Sequence, residues 1–363
     1  MSSAPLYALV LAGGAGTRFW PASRGTRPKQ LLALGGEEPL LLRTIRRVLP
    51  LLSGWDRVMV ASGTHLAAPT ASMLVELPPE NLLLEPTPRN TAPCIGWAAL
   101  RVVRRDPDAI VMVLPSDHHV GDEGRFRDVV TKAVASAADG VITTIGIRPT
   151  HAETGYGYIE ISEPATGDEA LAVRRFVEKP DRARAEAFVA GGRHLWNAGM
   201  FFFRASEMLR AIDAHVPELG AGLRAIEEGA RAGSEDEAVL RVFPSLPAVS
   251  IDRGVMEHVA PLAVVPGDFG WNDVGSWQSA WELALKDEHG NAAPPGAVLL
   301  DARNNEIVDL RSSPNKRVIA LVGVDDLVVV ETDDALLVVP RSRSQDVKDV
   351  VAALKERGDG GLT

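Results

Sequence analysis

A glycine-rich segment followed by four cations is the part of the sequence that most directly suggests chemistry. Gly13, Gly14 and Gly16 come directly after the apolar run 7–12. Glycines permit positive φ angles and leave backbone N–H groups open to a phosphate or a base. Arginine forks and a lysine point charge suit phosphate oxygens, so the segment is predicted to bind a polyphosphate. The cations are Arg18, Arg24, Arg27 and Lys29.

Two common glycine-loop templates do not fit this segment. A P-loop requires Gly-Lys-Ser/Thr, but Arg18 and Phe19 occupy those positions, and a dinucleotide fingerprint read from Gly14 requires glycine where Phe19 stands. A tight strand-to-helix turn without a ligand is the alternative. Pro21 and Pro28 oppose helix formation, so we expect a loop that is able to wrap a ligand.

The stretches 11–24 and 27–30 resemble the signature of the sugar-phosphate nucleotidylyltransferases. Their Phe-Trp-Pro and Arg-Pro-Lys-Gln motifs are similar to those of the mannose-1-phosphate guanylyltransferases in that family. The resemblance, which covers residues 6–285, implies GMP transfer from GTP to α-D-mannose 1-phosphate, giving GDP-mannose and diphosphate. A nucleotidylyltransferase for another sugar phosphate or base, or a catalytically silent sugar-nucleotide sensor, is the alternative. The implied nucleotide contacts in the signature are Leu11, Ala12, Gly13, Gly14, Gly16, Thr17, Arg18 and Lys29.

Two aspartates are candidates for binding a metal ion. Nucleotidyl transfer to a sugar phosphate requires positioning and charge neutralisation rather than a strong base, and Mg²⁺ typically takes one or two protein carboxylates. Asp117 follows the apolar run 110–114, where helix capping is the alternative role, and Asp273 lies in 270–277, where an ordinary turn is the alternative. The resemblance implies Mg²⁺ on Asp117 and Asp273, a nucleotide contact by Ser116, and stabilisation of the leaving diphosphate by Arg18 and Lys29.

The segment 85–93 is a candidate for selecting the base. Guanine presents two adjacent donors, N1–H and N2–H, which a carboxylate such as that of Glu85 can accept together. Asn90 and Thr91 are expected to cap the following helix, and capping alone would also explain the segment. The resemblance favours nucleotide binding by Glu85 and Asn90.

Three further segments resemble the sugar-binding half of the family. Gly157 would let a sugar approach the backbone, and Lys179 is expected to align the attacking sugar phosphate. Glu178 and Asn197 are expected to bind sugar hydroxyls. The alternatives are a solvated charged pair at 178–179 and a polar cap on the strand that contains Asn197.

The segment 250–257 also resembles a stretch of the family. Asp252 and Glu257 are expected to line the sugar pocket, and a helix with surface acids is the alternative. Lysine usually follows in the family, but His258 stands here. Because histidine is largely neutral at pH 7, this departure argues against an ionic role for that position.

Alternating strand-like and helix-like segments predict the fold that positions these residues. The strands are expected at 7–12, 57–62, 110–114 and 141–147, and the helices at 40–52, 91–105 and 125–138. This pattern predicts an α/β fold with a Rossmann-like, mostly parallel sheet flanked by helices, of the nucleotide-diphospho-sugar transferase type. Ligands bind beyond the carboxyl ends of such strands.

The pattern of alternating strands and helices gives way to short β-rich segments near residue 290, which predicts a second domain. The linker-like stretch 291–296 separates a catalytic domain, 1–289, from a small β-rich domain, 290–363. Strands are expected at 297–300, 318–322, 327–331 and 335–339, followed by a helix at 344–355. This pattern fits a small all-β module or a β-helix, including a left-handed β-helix. The sequence shows no clean short repeat. We expect a structural or homodimer-forming appendage.

Composition limits the other function classes. The chain has 363 residues, 46% hydrophobic and 24% charged, with a formal net charge of −10. This balance predicts a folded protein without nucleic-acid or membrane partners. The single cysteine, Cys94, excludes an internal disulfide. Because no basic residue precedes the first apolar run and no apolar stretch reaches ~18 residues, we expect a cytoplasmic enzyme.

Overall fold

The computed structural model describes residues 4–14, 16–34, 36, 38–162, 167, 169–312 and 317–363, and Ala15 of the glycine-rich segment lies outside them. The strands are β1 (Leu6–Leu11), β2 (Val58–Gly63), β3 (Leu82–Glu85), β4 (Ile110–Pro115), β5 (Ile142–Ile147), β6 (Tyr158–Ile161), β7 (Leu171–Val177), β8 (His194–Arg204), β9 (Leu262–Gly267), β10 (Val298–Leu300), β11 (Glu306–Asp309), β12 (Ala320–Val322), β13 (Leu327–Glu331) and β14 (Leu336–Pro340). The helices are α1 (Leu40–Val48), α2 (Ala67–Met73), α3 (Thr91–Arg105), α4 (Glu123–Ala138), α5 (Arg182–Gly191), α6 (Ala205–His215), α7 (Pro217–Arg231), α8 (Glu235–Val242), α9 (Trp277–Leu283) and α10 (Val347–Glu356).

The chain divides into two units, each of which takes segments from several parts of the sequence. The first unit contains Met1–Gly13, Thr44–Ser116 and Val120–Trp271. The second unit contains Gly14–Arg43, Asp117–His119 and Asn272–Thr363. The aspartates at 117 and 273 therefore belong to the same unit as most of the glycine-rich segment.

A nine-stranded sheet forms the centre of the first unit. Its order is β3–β2–β1–β4–β8–β5–β9–β7–β6. The four strands from β3 to β4 are parallel to one another, and β5 is parallel to β9. Strand β8 is antiparallel to β4 and to β5, between which it lies. The sheet is Rossmann-like in its parallel half and mixed in the other half.

Alternating side chains of the sheet build one apolar core on each face. Leu9 and Phe203 belong to the core that also contains residues of α3, α6 and α7, whereas Phe202 belongs to the core that contains Phe126 of α4. Neighbouring residues of a strand point to opposite faces, which explains why Phe202 and Phe203 are in different cores. The sheet is therefore covered by an apolar core on both faces.

The second unit carries short strands stacked in coils. Strand β10 pairs in parallel with β12, and β11 pairs in parallel with β13, whereas β14 is antiparallel to β13. The registers join Val298 to Ala320 and Glu306 to Val328, so each residue meets the one that is 22 positions further on. This is a β-helical coil whose period the sequence does not show as a repeat of residue types.

Two buried asparagines stabilise these coils from inside. Asn291 is 2% exposed and Asn305 is fully buried. The Asn305 backbone N–H and side-chain amide both donate to Asn291 Oδ1, at 3.0 and 3.1 Å. Asn305 Oδ1 accepts from the backbone N–H of Leu327 at 2.9 Å. These side chains thus satisfy backbone groups of successive coils that would otherwise be buried without partners.

Several predicted element boundaries differ from those in the structure. The helix expected at 40–52 ends at Val48 and continues as a 3₁₀ turn, Leu49–Leu51, which contains Pro50. The helix expected at 344–355 begins at Val347, after a 3₁₀ segment, Arg341–Asp346. Proline lacks the N–H that continues an α-helix, which explains the first difference. Among the described residues, we find no helix that is long and apolar enough to span a membrane.

Burial of Glu306 is expected to make the stability of the fold depend on pH. The residue is 4% exposed and Oε2 has no hydrogen-bond partner among the described residues. Burial raises the pKa of Glu306 to about 8, although the nearby Lys286 and Arg341 lower it. Because the folded chain keeps the proton that the unfolded chain loses near pH 4.5, stability falls as the pH rises from about 4.5 to about 8.

Replacing Glu306 by glutamine is expected to remove this pH dependence. Urea unfolding should show the free energy of unfolding of E306Q gaining about 3 kcal/mol on wild type between pH 5 and pH 8, at roughly 1.4 kcal/mol per pH unit. The matched control is Glu356→Gln, at an exposed position at the end of α10. Parallel pH profiles for wild type and E306Q would contradict the expectation.

Candidate functional site

The buried Lys29 ammonium joins the two predicted metal ligands. The residue is 6% exposed, and its Nζ lies 3.0 Å from Asp117 Oδ2 and 3.0 Å from the backbone oxygen of Asp273. The Phe19 ring centroid is 5.4 Å from the same Nζ. Residues from three distant stretches of the chain therefore meet around one cation inside the second unit.

Asp117 is ionised in this arrangement. Burial alone would raise its pKa, but the Lys29 ammonium, with His118 beside it, holds the pKa of Asp117 below its usual range. The alternative role as a helix cap is not observed, because Asp122 caps α4 by accepting from the backbone N–H of Arg125. Asp117 is thus held in place by its ion pair with Lys29 and does not act as a helix cap.

Asp273 faces the cluster through its main chain. Its backbone oxygen accepts from Lys29, and its Oδ1 accepts from the backbone N–H of Gly275 at 3.1 Å. The latter bond is an Asx turn, so the turn that we considered as an alternative for this segment is present. A carboxylate oxygen accepts more than one bond, which leaves the group able to bind a metal ion as well.

The donor set of this cluster suits a hard divalent cation. Asp117 places a carboxylate oxygen at Lys29, whereas the Asp273 carboxylate lies in the turn whose backbone oxygen contacts that lysine. No group of three or more His, Cys, Asp or Glu side chains within the described ranges is placed to hold a metal ion. Mg²⁺ is typically held by one or two carboxylates together with water and substrate phosphates. Carboxylates of this kind fit a hard divalent cation that is shared with a phosphate-bearing ligand.

The glycine-rich segment packs against the lysine of this cluster. Gly16 has φ +58°, and a Cβ there would lie 2.7 Å from Lys29 Cβ and 2.9 Å from its backbone N. Gly14 has φ +100°, also in the region that favours glycine. Arg18, in the 3₁₀ turn Thr17–Phe19, is exposed and makes no hydrogen bond or ion pair with any residue that the structure describes. Its guanidinium is available for a ligand.

In the first unit, the parallel strands align three of the predicted nucleotide-binding positions. Leu11 ends β1, Ser116 directly follows β4, and Glu85 ends β3. The Ser116 backbone N–H donates to Leu11 O at 3.2 Å, and Ala12 N–H donates to Ala61 O at 2.8 Å. Since β3 lies two strands from β1 and Glu85 lies two residues beyond the level of Leu11, the two residues are roughly 12 Å apart. Gly13 follows Ala12 at that edge.

Glu85 lies in an environment that makes its carboxyl group titrate near neutrality. Burial raises the pKa of Glu85 to about 7, although the nearby Cys94 thiol opposes the shift. The thiol itself donates to the backbone oxygen of Thr91 at 3.2 Å. Burial also raises the pKa of the Cys94 thiol, which keeps it protonated. Near neutral pH, a ligand that donates hydrogen bonds to this carboxylate must therefore compete with a proton.

We expect the affinity for guanine to depend on pH with the pKa of Glu85. The affinity for guanosine should increase from pH 6 to about pH 7 and then level off, because only ionised Glu85 accepts from both N1–H and N2–H. Isothermal titration with guanosine, which carries no phosphate to titrate, measures this directly. The Glu85→Gln variant should bind more weakly with a flat profile. A sloping profile in E85Q, or a flat one in wild type, would contradict the role of Glu85.

Asn90 and Thr91 fix the start of α3 in two different ways. Asn90 has φ 65° and ψ −165°, a conformation that is costly for a residue other than glycine, and its side chain accepts from Thr91 N–H. Thr91 is the first helical residue and does not act as the cap. Its hydroxyl accepts from the backbone N–H of Ile251 at 2.9 Å, which ties α3 to the residue before Asp252.

The predicted sugar-binding amide and acid are in direct contact. Asn197 Nδ2 donates to Asp252 Oδ1 at 2.9 Å, and Asn197 Oδ1 lies 3.1 Å from the hydroxyl of Thr144. Asn197 lies within β8, so it is not a strand cap. Asp252 begins a short π-helix, Asp252–Met256, and burial, with Glu178 nearby, raises its pKa to about 6.

Glu178 and Lys179 complete this group of the first unit. Lys179 Nζ lies 2.6 Å from Glu178 Oε1, and Glu257 Oε1 accepts from the backbone N–H of Glu178 at 2.9 Å. Lys179 has φ 48°, an unusual value for a lysine that fixes how the chain leaves β7. A Cβ on Gly157 would lie 2.7 Å from Glu178 Oε2, so this glycine leaves room for the carboxylate.

Three supporting contacts were not predicted from the sequence. Thr144 orients Asn197, Thr91 holds the segment that leads to Asp252, and Cys94 lowers the pKa of Glu85. The only signal for Thr144 is a polar pair, 143–144, inside an otherwise apolar strand. His258, which departs from the family pattern, is exposed, and its ring centroid lies 5.9 Å from that of His215.

Family models cover both parts of the chain. A model described as "Nucleotidyl transferase" matches residues 7–290, and one described as "MannoseP isomerase/GMP-like beta-helix domain" matches residues 297–354. A crystal structure from Thermus thermophilus, described as a mannose-1-phosphate geranyltransferase, aligns with a TM-score of 0.85 at 34% identity. The alignment covers 96% of this chain and 99% of that one.

Curated relatives agree with these matches. The chain is 44% identical to the xanthan biosynthesis protein XanB of Xanthomonas campestris pv. campestris (strain B100), over 98% of this chain and 74% of the relative. It is 41% identical to the mannose-1-phosphate guanylyltransferase of Escherichia coli (strain K12), over 99% of this chain and 75% of the relative. The chain therefore belongs to the nucleotidyl transferase family, in the branch that contains the mannose-1-phosphate guanylyltransferases. Members of this family generally use a divalent metal ion.

Proposed function

We propose that this protein transfers GMP from GTP to α-D-mannose 1-phosphate, which gives GDP-mannose and diphosphate. The observation that carries the proposal is the meeting of Asp117 and Asp273 at the buried Lys29 ammonium. Nucleotidyl transfer needs cations and metal-binding carboxylates rather than a strong base, because the sugar phosphate is already an anionic nucleophile. The similarity to the guanylyltransferase of Escherichia coli supports the choice of base and sugar.

In the proposed mechanism, an oxygen of the sugar phosphate attacks the α-phosphorus of GTP as the bond to diphosphate breaks. Asp117 and Asp273 would hold Mg²⁺, which supplies charge neutralisation on the reacting phosphates when bound. Arg18 and Lys29 would stabilise the negative charge of the leaving diphosphate. Lys179 would align the attacking phosphate, so that the residues supply position and charge and no proton transfer is required.

The remaining contacts divide between the nucleotide and the sugar. Ionised Glu85 would accept from guanine, and Asn197 with Glu178 and Asp252 would bind the mannose hydroxyls. The raised pKa of Asp252 lets one acid of the latter group keep a proton and donate to a hydroxyl oxygen below about pH 6. The other proposed nucleotide contacts are Leu11, Ala12, Gly13, Gly14, Gly16, Thr17, Asn90 and Ser116, and Gly157 would line the sugar site.

We also propose a catalytic domain at residues 1–289 and a β-helical domain at residues 290–363, in which exposed apolar side chains support homodimer formation. Val298 and Leu300 on β10 and Val322 on β12 are 42%, 55% and 63% exposed on paired strands. A cytoplasmic location is supported by the cysteine content, since a chain with one cysteine, Cys94, does not depend on an internal disulfide.

A diphosphate-release assay tests the proposed activity. GTP, ATP, UTP and dTTP would each be combined with mannose 1-phosphate and with glucose 1-phosphate in the presence of Mg²⁺. Release should be fastest with GTP and mannose 1-phosphate. A faster rate with another pair would reassign the substrates, and tight binding of GDP-mannose without release from any pair would indicate a sensor.

A further inference from the structure

The Lys29 ammonium occupies the side of Asp117 to which a metal ion would also be attracted. It contacts Asp117 Oδ2 and the backbone oxygen of Asp273, each at 3.0 Å, and it is almost fully buried. A buried ammonium is stable only with such oxygen partners, so Lys29 has a strong preference for this position while no other anion is near. A divalent ion on the same carboxylate would be repelled by it.

A phosphate bound at the neighbouring glycines would give the Lys29 ammonium a second anionic partner. The Lys29 backbone N and Cβ lie against Gly16, close enough that a side chain on Gly16 would collide with them. A phosphate at the N–H groups of the glycine-rich segment would thus approach the root of the Lys29 side chain. Lysine is a flexible point charge, and it is able to turn from a carboxylate to a phosphate without moving the backbone.

We propose that Lys29 is an internal counter-ion that keeps a divalent cation off Asp117 until a nucleotide's phosphates draw the ammonium away. Metal and nucleotide would then enter together, and the protein without nucleotide would bind divalent cations weakly. The inference rests on the proposed metal-binding role of Asp117. Lys29 would thus have two roles. Before the reaction it would control the order in which metal and nucleotide bind, and during the reaction it would stabilise the leaving diphosphate.

The test is binding of Mn²⁺ alone to the nucleotide-free protein, measured by the electron paramagnetic resonance signal of the free ion. Lys29→Gln should bind Mn²⁺ at least tenfold more tightly than wild type, because the competing charge is gone. The gain should vanish in the double variant that also carries Asp117→Asn, since both changes act on the same carboxylate. Lys132→Gln is the matched control, because Lys132 pairs with a carboxylate, Glu169, 3.2 Å away on the surface.

The possible outcomes separate this inference from the proposed function. Unchanged or weaker Mn²⁺ binding by K29Q would overturn the counter-ion role, whereas loss of binding in D117N would still support the metal site. An equal gain in K29Q and in K29Q/D117N would place the effect elsewhere and would also overturn it. If K29Q does not fold, ¹⁵N-lysine NMR of wild type decides: the Lys29 ζ signal should move with Mg²⁺ and GTP together, and a saturable shift with millimolar Mg²⁺ alone would overturn the inference.

Discussion

Replacing Asp117 by asparagine is expected to lower kcat by about 10³-fold while the protein remains folded. The substitution removes a carboxylate that would neutralise and position the reacting phosphates, and groups of this kind are worth roughly 10³-fold or more in phosphoryl transfer. Stopped assays of diphosphate release with saturating GTP and mannose 1-phosphate measure the loss. Near-normal turnover in D117N would remove the catalytic role of Asp117.

Asp122 provides a matched control in the same stretch of chain. Its side chain caps α4, so Asp122→Ala is expected to lower the free energy of unfolding by about 1 kcal/mol and to leave kcat unchanged. The comparison separates a loss of stability from a loss of chemistry. An equal loss of kcat in D122A would show that the D117N effect arises from the loop and not from the carboxylate.

Replacing Lys179 by methionine is expected to lower kcat/KM for mannose 1-phosphate about 100-fold. A buried or partly buried hydrogen bond between an ammonium and a phosphate contributes roughly 3 kcal/mol, which corresponds to that factor. The KM for GTP should change little, because Lys179 is proposed to contact only the sugar phosphate. Steady-state kinetics with each substrate varied in turn measure the difference between the two.

A second readout distinguishes this role from a general loss of structure. Lys179 is one of the charges that lower the pKa of Asp252, so K179M should move the titration of Asp252 in the mannose 1-phosphate pH profile to higher pH, above about 6. Lys355→Met, at an exposed position of α10, is the control and should shift neither quantity. A K179M enzyme with wild-type kcat/KM would contradict the assignment.

Local sequence signals were sufficient for many of the elements. Helix α3 has the predicted bounds, 91–105, because Asn90 caps its start and an amphipathic pattern continues to Arg105. The apolar strands β1, β4 and β13 were also located to within a residue or two. These features depend on neighbouring residues alone, which a single sequence contains.

The order of the strands was beyond the sequence. Nothing in the residues of β8 indicates that it inserts between β4 and β5 and runs antiparallel to both. The choice depends on how its Phe202 and Phe203 pack with two different cores, which is a property of the assembled sheet. The expectation of parallel pairing therefore held from β3 to β4, whereas β5, although it follows α4 in the chain, is separated from β4 by the antiparallel β8.

The contacts within the candidate site show the same limit. Motifs located Lys29, Asp117 and Asp273, but no spacing rule predicts that the lysine would contact the backbone oxygen of Asp273. Supporting groups such as the Thr144 hydroxyl were missed because a threonine in a buried strand is typical of ordinary core packing. Residue types suggest which chemistry is possible, whereas the tertiary fold decides which atoms meet.

The constant offset of 22 residues between paired strands of the β-helical domain restricts how its length can change during evolution. One residue added within 320–328 would keep Val298 opposite Ala320 but would move Glu306 away from Val328. One residue added between β11 and β12 would leave every such pair aligned. Natural insertions and deletions in homologous chains should therefore concentrate between Asp309 and Ala320, and tags or fused loops should be tolerated best there.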